Sequence, residues 1–321
     1  MQFRTLVRAM ACTATLTFVT ACAPASYAVR NPAPSGLAFT APAPATMLTV
    51  VDNRAGSERV FSSGILPAAL TVDGTPVDPT GYLARNLQAE LASRGAPAEV
   101  TTSGAGFPRL DLKSFRILNH RASGFSPFVT FTFLGGDLET AAGKQRVGVF
   151  IKRGKVPQWS FEEVVEPTFN EPLSLAVKEL AAKISGRLYA ARSSDAEVDR
   201  LAARIDSRND NSYLDVYALG FTNNPKAIPT MAKLARDPDE YVRLAAISSL
   251  GTLGATDHLD LLKSIHTGEG MWQDRAMALK AIGDLGTPEA KAYLDEQLAV
   301  LKTRPADKDT NWTLQVIGLY L

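Results

Sequence analysis

The most constraining feature of this chain is an 18-residue pattern that occurs twice in its C-terminal third. The segments 237–254 and 269–286 align without a gap, 32 residues apart, and each ends in a Leu-Gly pair. Apolar residues recur in both copies at helical spacing, with alanines between them. A repeat of this length is typical of a solenoid in which helical hairpins stack on one another. The sequence therefore predicts an all-α repeat domain over residues 195–321.

Two weaker segments extend this array. A degenerate copy begins at Tyr213, and a helix over 311–321 is expected to close the stack. About three repeats is close to the smallest number at which such stacks are stable. We therefore expect the preceding domain to cap the N-terminal end of the array.

In both copies an acidic residue precedes an arginine by six positions, as Asp237 with Arg243 and Glu269 with Arg275. This arrangement resembles HEAT-like repeats, and the resemblance implies a ladder of hydrogen-bonded charges between neighbouring repeats. An arginine fork is able to bridge two hairpins in this way. Exposed ion pairs contribute little to stability, so solvated surface charge is the alternative.

The same resemblance implies a concave surface that binds partners. Leu244, Ser248 and Lys280 would line that surface if the array curves as HEAT-like repeats do. Two tryptophans are further candidate anchors: Trp272 in a turn between repeat helices and Trp159 in a loop after the last strand. Tryptophan is enriched in interfaces, but it is also commonly buried in large part under its own domain.

Residues 47–191 show a different pattern, in which strand and helix signals alternate. Strands are predicted over 47–51, 109–119, 125–134 and 146–153, and helices over 80–94 and 172–190. The stretch 55–80 is mostly irregular, and Gly135-Gly136-Asp137 predicts a turn. The order β-α-β-β-β-α predicts an α+β domain with an antiparallel sheet and helices on one face.

This order of elements, with the strand exit Val50-Val51-Asp52-Asn53-Arg54, resembles the small outer-membrane lipoproteins of the YajG-like kind. The resemblance implies no catalytic residue, because that family has no assigned active-site motif. The expected fold class is therefore an α+β domain followed by a short HEAT-like solenoid.

The N-terminus carries an export signature. Arg4 and Arg8 precede an apolar run that ends at Val19-Thr20-Ala21-Cys22 and is too short to span a bilayer. This sequence resembles the signal peptide (1–21) and lipobox of bacterial lipoproteins, which implies cleavage before Cys22 and acylation of that residue. Ala23, rather than aspartate, then implies a lipid anchor in the outer membrane, facing the periplasm. An ordinary secretory signal with Cys22 incidental is the alternative.

Residues 22–46 are rich in proline and alanine and predict a lipidated tether, with packing of part of the segment on the next domain as an alternative. Removal of residues 1–21 would leave 32 basic and 33 acidic residues, a balance that gives no global field for attracting nucleic acid. Cys22 would then be the single cysteine, because Cys12 lies in the signal, so no disulfide is expected.

The sequence contains no recognisable catalytic constellation. His120, His258 and His266 lack the companion ligands of a metal site, and no nucleophile elbow or phosphate loop is present. The acidic segment Glu162–Glu166 is the one hint of paired carboxylates. We therefore expect no cofactor, no metal and no enzymatic activity.

Together these features predict a membrane-anchored scaffold that binds other envelope proteins and no nucleic acid. One alternative is a small-ligand or lipid carrier, which requires an apolar pocket between the Leu83 helix and the sheet. The other is a periplasmic hydrolase, which requires the acidic segment to line a cleft.

Overall fold

The structure is a computed structural model of the 321-residue chain. It describes residues 25–40, 46–65, 67–96, 98–104, 106–123, 126–156, 164–207, 209, 211–268 and 270–321. Cys22, Trp159, Glu269 and the pair Glu162–Glu163 lie outside the described residues.

The described strands form two sheets. They are β1 (Ala25–Ala28), β2 (Thr46–Asp52), β3 (Ser62–Gly64), β4 (Ala68–Val72), β5 (Thr75–Pro76), β6 (Ala98–Thr101), β7 (Arg109–His120), β8 (Phe128–Thr140) and β9 (Gly143–Val156). The large sheet has the order β6-β2-β7-β8-β9, with β3 paired to β7, and the small sheet has the order β1-β4-β5.

Two α-helices accompany the sheets, and eight follow in the described C-terminal region. They are α1 (Pro79–Ser93), α2 (Glu171–Tyr189), α3 (Asp195–Asp206), α4 (Ser212–Gly220), α5 (Ile228–Leu234), α6 (Glu240–Thr252), α7 (Leu259–Thr267), α8 (Trp272–Leu285), α9 (Pro288–Lys302) and α10 (Lys308–Ile317). The predicted α+β domain followed by an array of helices is confirmed.

The direction of the strands differs in part from the expectation. Strands β7, β8 and β9 are antiparallel, whereas β2 lies parallel to both β6 and β7. Parallel neighbours need a long crossover connection, and α1 lies in the connection between β2 and β6. The large sheet is therefore mixed.

The α1 and α2 helices pack against each other and against the large sheet. The Asp78 side chain caps α1 by accepting hydrogen bonds from the Thr80 and Gly81 N–H groups. Leu83, Leu87 and Leu91 are completely buried beneath it. This interface is a filled core, which argues against a ligand pocket between α1 and the sheet.

The predicted turn at Gly135-Gly136-Asp137 is wrong, because these residues continue β8 as far as Thr140. A Cβ atom at position 136 would lie 2.5 Å from the Asp111 carbonyl oxygen. A Cβ atom at position 135 would lie 3.0 Å from Leu319 Cδ2. These glycines are explained by the close approach of neighbouring atoms, not by a reversal of the chain.

Over the described part of the proline-rich segment, packing on the next domain, the alternative to a free tether, is what the structure has. Residues Ala25–Ala28 form β1, which pairs with β4, and the Phe39 N–H donates to the Arg94 carbonyl at 2.9 Å. Within this proline-rich segment, Val29 and Leu37 are apolar, and both side chains are buried in the core. Residues 25–40 therefore belong to the α+β domain, and the stretch 55–80, expected to be irregular, supplies β3, β4 and β5.

The C-terminal helices form two layers. Helices α4, α6, α8 and α10 stack in that order as an inner layer, and α3, α5, α7 and α9 pack on its outside. The inner helices α6 and α8 begin 32 residues apart, as the sequence repeat requires. Their approach is close: a Cβ atom at Gly251 would lie 2.6 Å from the Ala281 Cα atom.

The α+β domain packs along the inner layer and does not simply cap its N-terminal end. Strand β9 contacts α8, helix α2 contacts α6, and one continuous hydrophobic core includes residues of both domains. The Tyr320 ring fills a space left by two glycines, since Cβ atoms at Gly148 and Gly283 would lie 2.7 and 2.4 Å from it. Among the described helices, none combines the length and hydropathy needed to cross a bilayer.

Candidate functional site

Arg243 connects two successive repeats. Its Nε and Nη2 atoms contact the two carboxylate oxygens of Asp274 at 3.0 and 3.1 Å, and its Nη1 donates to the Asp237 carbonyl at 2.7 Å. Two parallel bonds to one carboxylate fix both position and orientation. The carboxylate partner of Arg243 is therefore in the next repeat, so a charged bridge between neighbouring repeats is present here, and Asp274 supplies its acidic residue.

The remaining ladder residues play local roles. An oxygen of the Asp237 carboxylate accepts from the Asp239 N–H at 3.0 Å in the turn before α6. Arg275 donates to the carbonyl of Gly270, five residues earlier in the same repeat. Within the part of the chain that the structure describes, Arg275 forms no ion pair equivalent to the Arg243–Asp274 bridge, and Glu269 lies outside that part.

A cluster of four charged residues lies between α2 and α8. Lys280 Nζ is 2.5 Å from Glu179 Oε1 and 2.8 Å from Asp284 Oδ2. Lys183 Nζ is 2.6 Å from both Glu179 Oε1 and Asp284 Oδ1. All four side chains are buried, and their formal charges sum to zero.

The protonation of this cluster follows from its neighbours. Burial opposes the ionisation of Asp284, but the ammonium groups of Lys183 and Lys280 outweigh burial and lower the Asp284 pKa. Burial also opposes the charge on Lys280, yet Asp284 and Glu179 raise its pKa. Tyr320 completes the cluster, with its hydroxyl 2.8 Å from Asp284 Oδ1. These contacts join the two domains, so the cluster has a structural role.

Three predicted interface residues are therefore inaccessible, and that prediction is wrong. Leu244 and Ser248 on α6 are buried, and Lys280 on α8 donates to the Ser248 hydroxyl at 2.7 Å within the charged cluster. The α+β domain occupies the face on which they lie. A sequence signal was available, because Leu244-Ala245-Ala246-Ile247 is apolar on every side of the helix, which indicates a helix covered all round.

Trp272, the remaining described candidate, lies in an open cleft beside α10. Its ring centroid is 5.1 Å from that of Trp312 and 5.5 Å from that of Phe131. Its indole N–H lies 2.9 Å from both the Asp309 carbonyl and the Thr313 hydroxyl. Trp272 is thus half-buried within its own chain and still lines the cleft.

We call this feature the tryptophan cleft. It has a volume of about 440 Å³ and is lined by Val129, Phe131, Lys152, Glu240, Met271, Trp272, Gln273, Asp309 and Trp312. Met271 at its edge is 54% exposed, an unusual degree for a large apolar side chain in this protein. The sequence analysis singled out neither Trp312 nor Met271, because the positions 32 residues earlier, Lys280 and Asp239, share no property with them.

The base of the tryptophan cleft is polar. Lys152 and Glu240 form a buried ion pair, and Gln273 Nε2 donates to Glu240 Oε1 at 3.2 Å. Apolar walls over a few fixed polar groups are the usual composition of a recognition pocket. This arrangement is suited to holding an apolar side chain of a partner, while hydrogen-bonding groups meet its backbone.

The comparisons with known proteins bear on the helical domain. A family model described as HEAT repeats matches residues 184–270. These residues include α3 to α7 and contain Arg243. The C-terminal domain is a HEAT-like repeat array. Its inner helices contact the α+β domain of the same chain.

The other comparisons are less informative. No curated protein matches this sequence. One similar solved structure is described as the crystal structure of an uncharacterized protein. It is 12% identical, with a TM-score of 0.30, and the match covers 52% of this chain and 99% of that chain.

Neither the HEAT-like array nor the α+β domain brings together a metal site in its described residues. His266 on α7 is hydrogen-bonded to the Tyr293 hydroxyl at 2.7 Å, and burial lowers the His266 pKa to about 4. His120 packs against the Trp312 ring, and His258 precedes α7. Glu166, the described end of the acidic segment, is exposed and forms an ion pair with Arg30 at 2.6 Å.

Proposed function

We propose that this protein is a non-enzymatic scaffold that binds other proteins of the bacterial cell envelope. The HEAT-like repeat array supports the interaction role, because stacked repeats present extended surfaces to partners. The lipobox-like sequence ending at Cys22 supports anchorage through a lipid in the outer membrane, on the periplasmic side.

The tryptophan cleft is the proposed contact surface. The observation that carries this proposal is its position: it is open, while the inner helices beside it are covered by the α+β domain. Tryptophan and methionine are enriched at interface cores, and the residues that contribute most to binding cluster in well-packed pockets. A partner segment with an exposed aromatic or aliphatic side chain fits this chemistry.

Site-specific photocrosslinking in intact cells tests the contact surface. A photoreactive residue at position 271 should give crosslinks to a discrete set of envelope proteins. Met47 on β2 is a matched control, because it is also a methionine that is 54% exposed. The same crosslinked proteins at positions 47 and 271, or none at 271, would refute the cleft as the binding surface.

Fractionation tests the anchor independently. Cys22→Ser should move the mature protein from the membrane fraction to the soluble fraction, because the acylated thiol would be missing. Cys12→Ser changes a residue inside the expected signal and should leave the distribution unchanged. Membrane association that survives Cys22→Ser would contradict lipid anchorage, and it would leave the crosslinking result intact.

The two alternative functions lack support at the places where the sequence predicted their sites. A carrier would need space between α1 and the sheet, where Leu83, Leu87 and Leu91 fill the core. A hydrolase would need converging carboxylates, and Glu166 is instead paired with Arg30 at the surface.

A further inference from the structure

A second cleft lies between α2, residues 30–37 and helices α3 and α4. Its volume is about 540 Å³, within the range of about 300–1,000 Å³ that is typical of small-molecule sites. Part of its lining is apolar and comes from three helices and the residue that follows the last of them: Leu175, Leu201, Leu214, Ala218 and Phe221. We call this feature the α2–α4 cleft.

Lys178 on α2 also lines the α2–α4 cleft. It is half-buried, and burial lowers the pKa of its ammonium group. Among the described residues, its Nζ atom has no hydrogen bond and no ion pair within 4.0 Å. A partly buried cation without a counter-charge is unfavourable unless something else supplies that charge.

The buried carboxylate whose charge acts on Lys178 is already occupied. Glu90 accepts from Arg94 Nε at 2.6 Å, from the Ser35 N–H at 2.8 Å and from the Ser35 hydroxyl at 2.5 Å. Arg94 is itself completely buried, so the Glu90 charge is balanced by a partner that cannot move into solvent. Lys178 therefore contributes one uncompensated positive charge to the cleft.

The other charges at the α2–α4 cleft are paired with one another. The ion pairs that involve its lining residues are Arg30–Glu166 at 2.6 Å, Arg204–Asp215 at 2.6 Å, Arg200–Glu197 at 2.6 Å and Arg153–Glu171 at 2.8 Å. Their formal charges cancel within each pair. The net charge that a ligand would meet is therefore the single positive charge of Lys178.

We infer that the α2–α4 cleft binds a small amphipathic monoanion, whose carboxylate contacts Lys178 and whose apolar body lies along the leucine and phenylalanine wall. One ammonium group matches one carboxylate, and the apolar wall matches a hydrocarbon chain or ring system. This ligand site is separate from the tryptophan cleft, since the two clefts share no lining residue.

Calorimetric titration of the full chain with laurate, below its micelle-forming concentration, tests this inference. Laurate should bind at one site per chain, and dodecanol, which has the same chain length and no charge, should bind at least tenfold more weakly. Lys178→Met should reduce laurate affinity at least tenfold and remove the preference for laurate over dodecanol. Lys233→Met is the matched control, because Lys233 is exposed on α5 and does not line the cleft.

A second variant separates charge from space. Ser174→Trp places a large ring in the cleft one helical turn from Lys178, and it should abolish binding of both compounds while leaving the ammonium group in place. Equal affinities of the wild-type chain for laurate and dodecanol would overturn the inference. So would an absence of laurate binding, or a laurate affinity within twofold of wild type in either cleft variant.

Discussion

Lys280 provides the sharpest test of how the two domains are joined. Its side chain is completely buried and contacts Glu179 on α2, Asp284 on its own helix and Ser248 on α6. Lys280→Met keeps the length of the side chain and removes the charge. Two carboxylates then remain with the single ammonium group of Lys183, so one negative charge is left in the interior without a counter-charge.

Loss of one partner from a buried ion pair costs about 3–5 kcal/mol, mostly because the remaining charge is left desolvated. We expect Lys280→Met to lower the free energy of unfolding by that amount. Glu179→Gln alone should lower it by a similar amount, because it leaves two ammonium groups with one carboxylate. The double variant restores the balance between Lys183 and Asp284, so its cost should be smaller than the sum of the single costs by at least about 1 kcal/mol.

Urea unfolding followed by circular dichroism measures all three variants. Lys291→Met is the control, because the Lys291–Asp295 pair is 63% and 55% exposed and its loss should change stability by less than about 1 kcal/mol. Additive costs in the double variant, or a Lys280→Met cost no larger than that of the control, would refute the account of the cluster given above.

Three further predictions concern other contacts. Arg243→Ala removes the two bonds to Asp274 that join successive repeats and should cost about 1.5–3 kcal/mol in urea unfolding, whereas Arg275→Ala, whose hydrogen bond stays within one repeat, should cost less. Burial, with smaller contributions from Arg275 and Arg304, lowers the His266 pKa to about 4. Between about pH 6.5 and 4, His266 is therefore neutral in the folded state but gains a proton in the unfolded state. Stability should fall as pH decreases through this range, and His266→Gln should weaken the pH dependence of the melting temperature there. Gly148→Ala would place a Cβ atom 2.7 Å from the Tyr320 ring and should cost about 1–3 kcal/mol, whereas Gly106→Ala, with no atom within 4 Å, should leave the melting temperature unchanged.

The elements that follow a strong period were predictable from the sequence. Leu83, Leu87 and Leu91 place one apolar stripe on a helix, and the structure has α1 over Pro79–Ser93. The repeat of 32 residues located α6 and α8, because each unit buries part of its apolar surface against an equivalent neighbour. Such local patterns determine the type of element without reference to the rest of the chain.

The contacts between distant segments were not predictable in the same way. Gly135 has the sequence context of a turn, but glycine is needed there because Leu319, far away in the sequence, packs closely against it. Asp274, and not Asp237, supplies the carboxylate for Arg243, because the geometry of stacking decides which turn lies beside the arginine. The tryptophan cleft likewise combines residues of β8, α8 and α10, whose proximity no period in the sequence encodes.

The seating of β9 and α2 against the inner helices has a mechanical consequence. In a solenoid that packs against no other domain, small rotations between successive repeats add up, so the superhelix is able to change its curvature around a binding partner. Here β9 and α2 pack against α8 and α6, so bending the array would require exposing the hydrophobic core that it shares with the sheet. The repeat array should therefore keep one curvature when a partner binds, and the partner must fit that surface.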